Sequence, residues 1–268
     1  MSYRGMTMIK TIFFDLDDTL LWDKKSVKQA FIETCKIAEK KHQINPSQLE
    51  EAVRNEARRL YATYPTYEFT QMIGINPFEG LWGNFLDDHE QFKQMSKIVP
   101  SYRRDAWTNG LKNVGIDDPE FGQQLAEEFP KQRKKNPFVF KDTFHVLKSL
   151  EGSYQLVMLT NGSPDLQNTK LSITPELKTY FDHIVISGDF GRGKPAPSIF
   201  EYAAKLSQTD KTEIMMVGDN LNTDILGSNR AGIKNVWINH EGLKTDTIQP
   251  TYEIKYLHEL LPLLEKIN

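Results

Sequence analysis

The sequence contains a single cysteine, Cys35, among 268 residues. One thiol cannot form an intrachain disulfide, so a disulfide-stapled fold is excluded and a reducing, cytoplasmic setting is expected. Cys35 recurs at helical spacing with neighbouring apolar residues, which is typical of a small core side chain.

The chain also lacks long apolar runs and a strong charge imbalance. No stretch reaches the roughly 20 apolar residues that a membrane-spanning helix needs, so no membrane insertion is expected. The formal net charge is −3, which provides no overall attraction for nucleic acid or for an anionic membrane. A local basic cluster at residues 131–135 has no interleaved aromatic residues and is interpreted as a solvated face.

Near the start of the chain, a short apolar run leads directly into a cluster of carboxylates. Residues 11–14 are β-branched or aromatic and carry no charge, which predicts a strand buried on both faces. Asp15, Asp17 and Asp18 follow at once. Buried carboxylates must be paired or coordinated, so this run predicts a metal-assisted active site. An ordinary acidic turn is the alternative interpretation.

Two kinds of hydrophobic periodicity divide the rest of the chain. After Leu20 the spacing is helical for more than a hundred residues, although residues 71–92 indicate loops between short helices. One helix is predicted to begin at Pro119 and to be kinked or ended by Pro130. From about residue 137, predicted strands alternate with predicted helices, which indicates an α/β fold with a parallel sheet covered on both faces.

The first strand must join that sheet, because a single strand is not stable alone. The helical block is therefore an insertion between the first strand and the other βα units. Two domains are predicted: a Rossmann-like α/β core made of residues 1–21 and 138–268, and a helical domain made of residues 22–137.

Polar residues follow the predicted strands at the sheet edge where ligands bind in open parallel sheets. Thr160 and Asn161 come after one strand and before a helix, a combination that suits phosphate oxygens. Lys194 lies in a loop after the next strand, and Asp219 and Asp224 follow a third. We therefore expect these side chains to meet the carboxylates of the first strand at one edge.

In this order, the residues resemble the four motifs of the haloacid dehalogenase (HAD) superfamily. The helical insertion resembles the cap that one branch of the superfamily carries at this point. The resemblance covers the whole core and implies the strand order 3-2-1-4-5, which brings the motifs together. The matching residues are Asp15 to Thr19 for the first motif, Thr160 for the second, Lys194 with Pro195 for the third, and Asp219 with Asp224 for the fourth.

The resemblance implies a phosphatase that acts through an aspartyl-phosphate intermediate. Asp15 would be the nucleophile, and Asp17 would protonate the leaving oxygen and later deprotonate water. Mg²⁺ would be held by the Asp15 carboxylate, the main-chain carbonyl of Asp17 and Asp219. Asp224 would lie behind these ligands or orient the lysine. The residues implied for the substrate phosphate are Thr160, Asn161 and Lys194.

Other functions are weighed against this one. Dehalogenases of the superfamily lack a carboxylate at the position that matches Asp17, so its presence favours phosphoryl transfer. A phosphomutase uses the same core and is only weakly disfavoured. A non-catalytic relative that binds a phosphorylated metabolite is expected to have lost a motif residue, and none is missing here. The spacing from Gly188 to Lys194 fits a nucleotide P-loop, but Pro195 replaces the required Ser or Thr.

The expected partner is a small phosphorylated metabolite, with O-phospho-L-serine ranked ahead of a sugar phosphate and a nucleoside monophosphate by family analogy. A monomer or a homodimer is expected. In capped relatives the cap closes over the site and contacts the leaving group. Candidate contacts in the helical insertion are Trp82, Gly83, Asn84, Arg54, Arg58, Arg103 and Arg104.

Overall fold

A computed structural model describes residues 8–245 and 247–268, so the first seven residues of the predicted core lie outside the described range. Within that range, no helix combines the length and apolar character needed to cross a bilayer. The strands are β1 (Thr11–Phe14), β2 (Gln155–Thr160), β3 (His183–Ile186), β4 (Ile214–Gly218), β5 (Lys234–Ile238) and β6 (Tyr252–Ile254).

The helices between these strands fall into a long inserted group and a set of shorter crossover helices. The inserted group consists of α1 (Asp23–His42), α2 (Pro46–Tyr61), α3 (Tyr67–Ile73), α4 (Pro77–Gly80), α5 (Glu90–Asn113) and α6 (Pro119–Lys135). The others are α7 (Thr143–Leu150), α8 (Pro164–Ser172), α9 (Pro175–Lys178), α10 (Ser187–Phe190), α11 (Pro197–Leu206), α12 (Leu226–Ala231) and α13 (Leu260–Ile267).

The sheet is parallel, and its order across the described residues is β3-β2-β1-β4-β5-β6. β1 lies between β2 and β4, with Phe14 level with Met158 and Val217. All four residues of β1 are buried, as their uncharged side chains predict. The predicted α/β fold and the order 3-2-1-4-5 are confirmed, and β6 extends the sheet beyond β5.

Residue contacts divide the chain into two compact units. The sheet unit contains the described residues up to Trp22 together with Val139–Asn161 and Thr174–Asn268. The helical unit contains Asp23–Phe138 and also Gly162–Ile173, which includes α8. The inclusion of α8 in the helical unit was not predicted from the sequence.

Buried aromatic side chains hold the helical unit together. The ring of Phe31 in α1 lies 4.6 Å from that of Phe129 in α6 and 5.8 Å from that of Trp107 in α5, measured between centroids. All three side chains are fully buried. Leu166 of α8 belongs to the same hydrophobic cluster, which explains why α8 is grouped with these helices. Burial of each large side chain contributes about 2–3 kcal/mol.

Two helices of this unit run through an internal proline. α6 continues past Pro130 to Lys135, so the prediction that this proline could end the helix is wrong. Phe129 before the proline and Arg133 after it are both buried, and Arg133 forms an ion pair with Asp23. These contacts offset the roughly 3 kcal/mol cost of an interior proline. α5 similarly spans 24 residues around Pro100, which obscures its helical spacing in the sequence.

Gly110 provides a test of the packing between α5 and α2. A Cβ atom at Gly110 would lie 2.5 Å from Cγ2 of Val53 and 3.1 Å from the backbone N and Cα of Val53. Backbone atoms cannot rotate away, so we expect Gly110→Ala to lower the free energy of unfolding by about 1–3 kcal/mol. That loss would occur although alanine favours helix by about 1 kcal/mol. Urea-induced unfolding measures the difference.

The exposed residue Lys112 on the same helix supplies the matched control. Lys112→Ala should change the free energy of unfolding by no more than about 0.5 kcal/mol. A Gly110→Ala protein as stable as this control would show that α2 and α5 can separate without loss, contrary to the expectation.

Candidate active site

Asp15 lies immediately after β1 and is 8% exposed. Its N–H donates to the carbonyl of Val217 at 3.0 Å, which continues the pairing of β1 with β4 by one residue. Burial raises the pKa of Asp15 to about 7, although the neighbouring ammonium of Lys194 acts to lower it. The strand therefore delivers a carboxylate into a poorly solvated position, where its charge depends on nearby cations.

The buried ammonium of Lys194 connects the ends of three strands. Its Nζ lies 2.7 Å from Oδ1 of Asp15 after β1 and 2.7 Å from the carbonyl oxygen of Leu159 in β2. It also lies 2.7 Å from Oδ1 of Asp224, which follows β4. Burial acts to lower the pKa of Lys194, but the two carboxylates raise it by more, so the side chain is held as a cation.

Asn161 fixes the loop that carries this lysine. Its Oδ1 accepts from the N–H of Lys194 at 2.8 Å, and its Nδ2 donates to the carbonyl of the same residue at 2.9 Å. The Lys194–Pro195 peptide bond is cis. Thr160, the preceding residue at the end of β2, is buried. The predicted phosphate-binding residues Thr160, Asn161 and Lys194 therefore come together at one edge of the sheet.

Asp224 can approach the lysine because residue 218 is a glycine. A Cβ atom at Gly218 would collide with the carboxylate of Asp224. The N–H of Asp224 donates to the carbonyl of Asn220 at 2.9 Å, and Oδ2 of Asp224 accepts from the N–H of Asn220 at 3.1 Å. The N–H of Ile225 donates to the same carbonyl at 3.3 Å and closes a π-helical turn over Leu221–Ile225, in which the Asp224 carboxylate is fully buried.

Asp219 is held through its backbone. Its N–H donates to Oγ1 of Thr19 at 3.1 Å, and its carbonyl accepts from Nε1 of Trp237 at 2.8 Å. Thr19 belongs to the first motif, so the sequence could point to it as a residue near the site. Trp237 lies in β5, outside every motif, so nothing in the sequence indicated its contact with Asp219.

Asp17 lies in a tight turn after β1. The N–H groups of Leu20 and Leu21 both donate to the carbonyl of Leu16, at 3.0 and 2.9 Å. Asp17 itself is half-buried. Because of this turn, Asp17 stays near the carboxyl end of β1.

Three of these carboxylates can approach a single cation. Asp15, Asp219 and Asp224 each offer an oxygen, and the three oxygens lie within 4.8 Å of one another. Carboxylate oxygens are the ligands that hard divalent cations such as Mg²⁺ prefer. The donor set therefore fits such an ion, while Lys194 offsets part of the negative charge of the cluster.

The four arginines proposed as substrate contacts all have partners inside the helical unit. Arg103 differs from the others because its guanidinium donates to the backbone carbonyls of Gly80 and Gly83, around Trp82. Burial lowers the pKa of Arg103 to about 10. The other three bind neighbouring side chains: Arg54 with Glu50 at 2.9 Å, Arg58 with Asn55 at 3.2 Å, and Arg104 with Asp105 at 2.9 Å.

A family model of haloacid dehalogenase-like hydrolases matches residues 9–232. The chain belongs to this family. The match begins before β1 and ends after α12, so it includes every motif residue described above. The predicted family is therefore confirmed, and with it the assignment of the chain as a hydrolase.

Named relatives of this HAD-like hydrolase include two phosphatases. The chain is 28% identical to the phosphoserine phosphatase of Thermus thermophilus, over 92% of this chain and 95% of that enzyme. It is 27% identical to the N-acylneuraminate-9-phosphatase of Mus musculus, over 98% of this chain and 97% of that enzyme.

A solved structure supports the fold. The HAD-hydrolase YfnB from Bacillus subtilis, bound to magnesium, matches with a TM-score of 0.62 and 24% identity, covering 96% of this chain and 99% of that one. At 24% identity, this structural similarity shows a shared fold and nothing about function.

Removal of the Lys194 charge tests its role as a counter-ion. Lys194→Met would leave the buried carboxylates of Asp15 and Asp224 without their ammonium partner. We expect the free energy of unfolding, measured with a chelator present, to fall by about 3–5 kcal/mol. The double variant Lys194→Met, Asp224→Asn should recover part of that loss, because one of the two orphaned charges is removed.

Lys148→Met is the control, since the side chain of Lys148 is 71% exposed. A Lys194→Met protein as stable as this control would show that the buried carboxylates do not need the ammonium.

Proposed function

We propose that the chain is a Mg²⁺-dependent phosphatase that hydrolyses a small phosphomonoester through an aspartyl-phosphate intermediate. One observation carries the proposal: the carboxylates of Asp15, Asp219 and Asp224 meet within 4.8 Å, beside the buried ammonium of Lys194. A nucleophile, a site for a divalent cation and a fixed positive charge are the parts that phosphoryl transfer needs. Membership of the HAD-like hydrolases and the phosphatases among the relatives support it.

Asp15 is the nucleophile in this proposal. Its carboxylate attacks phosphorus, and the bond from phosphorus to the leaving oxygen breaks as Asp17 supplies a proton to that oxygen. Asp17 then takes a proton from water, which attacks phosphorus and releases inorganic phosphate and the free Asp15 carboxylate. Attack requires an ionised Asp15, and Lys194 favours that form against the effect of burial.

The metal site consists of the carboxylates of Asp15 and Asp219 and the main-chain carbonyl of Asp17. When bound there, Mg²⁺ supplies Lewis-acid stabilisation of the negative charge that develops on the phosphoryl oxygens. Asp224 orients Lys194 through the 2.7 Å contact between them.

The phosphate group is bound in this proposal by Thr160, Asn161 and Lys194. Nζ of Lys194 donates to Oδ1 of Asp15 and to the Leu159 carbonyl, and it forms an ion pair with Asp224, so the lysine contributes chiefly as a point charge. One N–H of the Asn161 amide donates to the Lys194 carbonyl, and its second N–H is available to an anion. The Thr160 hydroxyl supplies a further hydrogen bond.

A phosphate-release screen with Mg²⁺ present is the direct test of function. The panel contains O-phospho-L-serine, sugar phosphates including N-acylneuraminate 9-phosphate, and nucleoside monophosphates. O-phospho-L-serine ranks first, and the sugar phosphate class gains support from the second phosphatase relative. If no member of the panel releases phosphate, the result would favour a binding protein. Recovery of an isomerised sugar phosphate would identify a phosphomutase.

Asp15→Asn tests the nucleophile. An amide cannot form the acyl-phosphate, so we expect turnover on the best substrate of the screen to fall by about 10³-fold or more. Asp18→Asn is a matched control three residues away. Its backbone φ is 60°, a conformation that asparagine tolerates well, so the variant should fold and keep turnover close to the parent value. Substantial hydrolysis by Asp15→Asn would refute the assignment.

Asp219→Asn tests the metal site. Loss of one carboxylate charge weakens the binding of a hard divalent cation, so the Mg²⁺ concentration for half-maximal activity should rise by about tenfold or more. Excess chelator should abolish turnover of the parent protein, and added Mg²⁺ should restore it. Turnover that is insensitive to chelator, or an unchanged Mg²⁺ requirement in Asp219→Asn, would contradict the assignment.

A further inference from the structure

The backbone on both sides of Asp219 is held by side chains from other segments of the sheet unit. The N–H of Asp219 donates to Oγ1 of Thr19 at 3.1 Å, and its carbonyl accepts from Nε1 of Trp237 at 2.8 Å. The N–H of the next residue, Asn220, donates to Oδ2 of Asp224 at 3.1 Å. The peptide group that joins Asp219 to Asn220 is therefore bound at its carbonyl and at its N–H. All five residues belong to the sheet unit.

Asp219 lies in the interval between two regular elements. β4 ends at Gly218, and the π-helical turn begins at Leu221. In this interval, side chains bind the backbone groups that neighbouring strands or helical turns bind elsewhere. The conformation of the chain at Asp219 therefore depends on the side chains that reach it.

Trp237 reaches Asp219 from a well-fixed position in β5. It lies level with Gly218 of β4, and its side chain is fully buried. β5 is paired with β4 on one side and with β6 on the other, so the strand that carries the ring is held at both edges. An indole N–H can only donate, and a buried one needs an acceptor. Here the acceptor is the carbonyl of a residue in the proposed metal site.

The ion proposed for this site makes strict demands on its ligands. Mg²⁺ requires nearly ideal octahedral geometry at about 2.0–2.1 Å, whereas Ca²⁺ accepts about six to eight oxygens at about 2.3–2.6 Å in flexible arrangements. A carboxylate on a fixed backbone therefore favours Mg²⁺. Groups that bind a metal ligand from behind commonly contribute about 10–100-fold to metal affinity.

We propose that Trp237 is a positioning residue for the metal ligand Asp219 and that it favours Mg²⁺ over Ca²⁺, which deepens and rests on the function proposed above. Trp237 acts on the ion only through the Asp219 carbonyl. Without the indole N–H, the peptide group that joins Asp219 to Asn220 loses the bond on its carbonyl. The position of the Asp219 carboxylate then varies more, which weakens the binding of the ion with the stricter geometry more strongly.

Two variants remove the N–H and keep an aromatic side chain. Trp237→Phe keeps one ring, and Trp237→3-benzothienylalanine, an unnatural amino acid, keeps the fused rings with sulfur in place of the N–H. Calorimetric titration of the full chain with Mg²⁺ and, separately, with Ca²⁺ measures both affinities without turnover. We expect both variants to lose about tenfold in Mg²⁺ affinity and about threefold or less in Ca²⁺ affinity.

Ile238→Ala is the matched control on the same strand. Ile238 is buried, and it lies on the opposite face of the sheet from Trp237, because successive side chains of a strand alternate. The lost packing should lower the thermal midpoint at least as far as Trp237→Phe does. Both metal affinities should nevertheless stay within about twofold of the parent values, a difference below about 0.4 kcal/mol. A merely structural role for Trp237 predicts that Mg²⁺ affinity falls with stability, so this control would then lose as much as Trp237→Phe.

Three results would overturn the inference: a Mg²⁺ affinity within about threefold of the parent value in either folded Trp237 variant, an equal loss of Ca²⁺ affinity, or an equal loss of Mg²⁺ affinity in Ile238→Ala. Each of them leaves the phosphatase function intact as long as the parent protein hydrolyses phosphomonoesters. Failure of the proposed function has a different signature, since the parent protein would then show no Mg²⁺-dependent turnover.

Discussion

The arrangement of the sheet unit depends on one buried ammonium group. Parallel strands bring their carboxyl ends to one edge, and here those ends carry aspartates at positions that are poorly solvated. Uncompensated charges at such positions cost several kcal/mol each. Lys194 offsets this cost by contacting Asp15 after β1, the Leu159 carbonyl in β2 and Asp224 after β4.

The remaining contacts of the site can be understood as support for that ammonium. Asn161 holds the lysine loop by its backbone, and the glycine at position 218 leaves room for the carboxylate of Asp224. The same arrangement serves the proposed chemistry, since a nearby fixed cation favours the ionised form of Asp15 that nucleophilic attack requires. Stability and reactivity thus rely on the same short distances.

Local patterns in the sequence were sufficient to predict the sheet and the cluster at its edge. The uncharged run before Asp15 predicts a central buried strand, and polar residues after each later strand must meet it at the carboxyl edge. The contacts of α8 could not be predicted in this way. Lys170 lies four residues after Leu166, and nothing in that spacing shows that Glu79 would bury its charge. The sequence likewise predicted that Pro130 would kink or end α6. It could not show that the helix continues to Lys135, because the burial of Arg133 is a tertiary effect.

The placement of α8 has a consequence for the modularity of the chain. The polypeptide passes between the two units at four junctions, not two, because Gly162–Ile173 is grouped with the helices. A transplant of residues 23–138 alone out of this chain would therefore separate Glu79 from Lys170, and Asp87 from Ser163 and Asp165. A chimaera made from this chain should keep these contacts only when the twelve-residue segment is transferred together with the insertion.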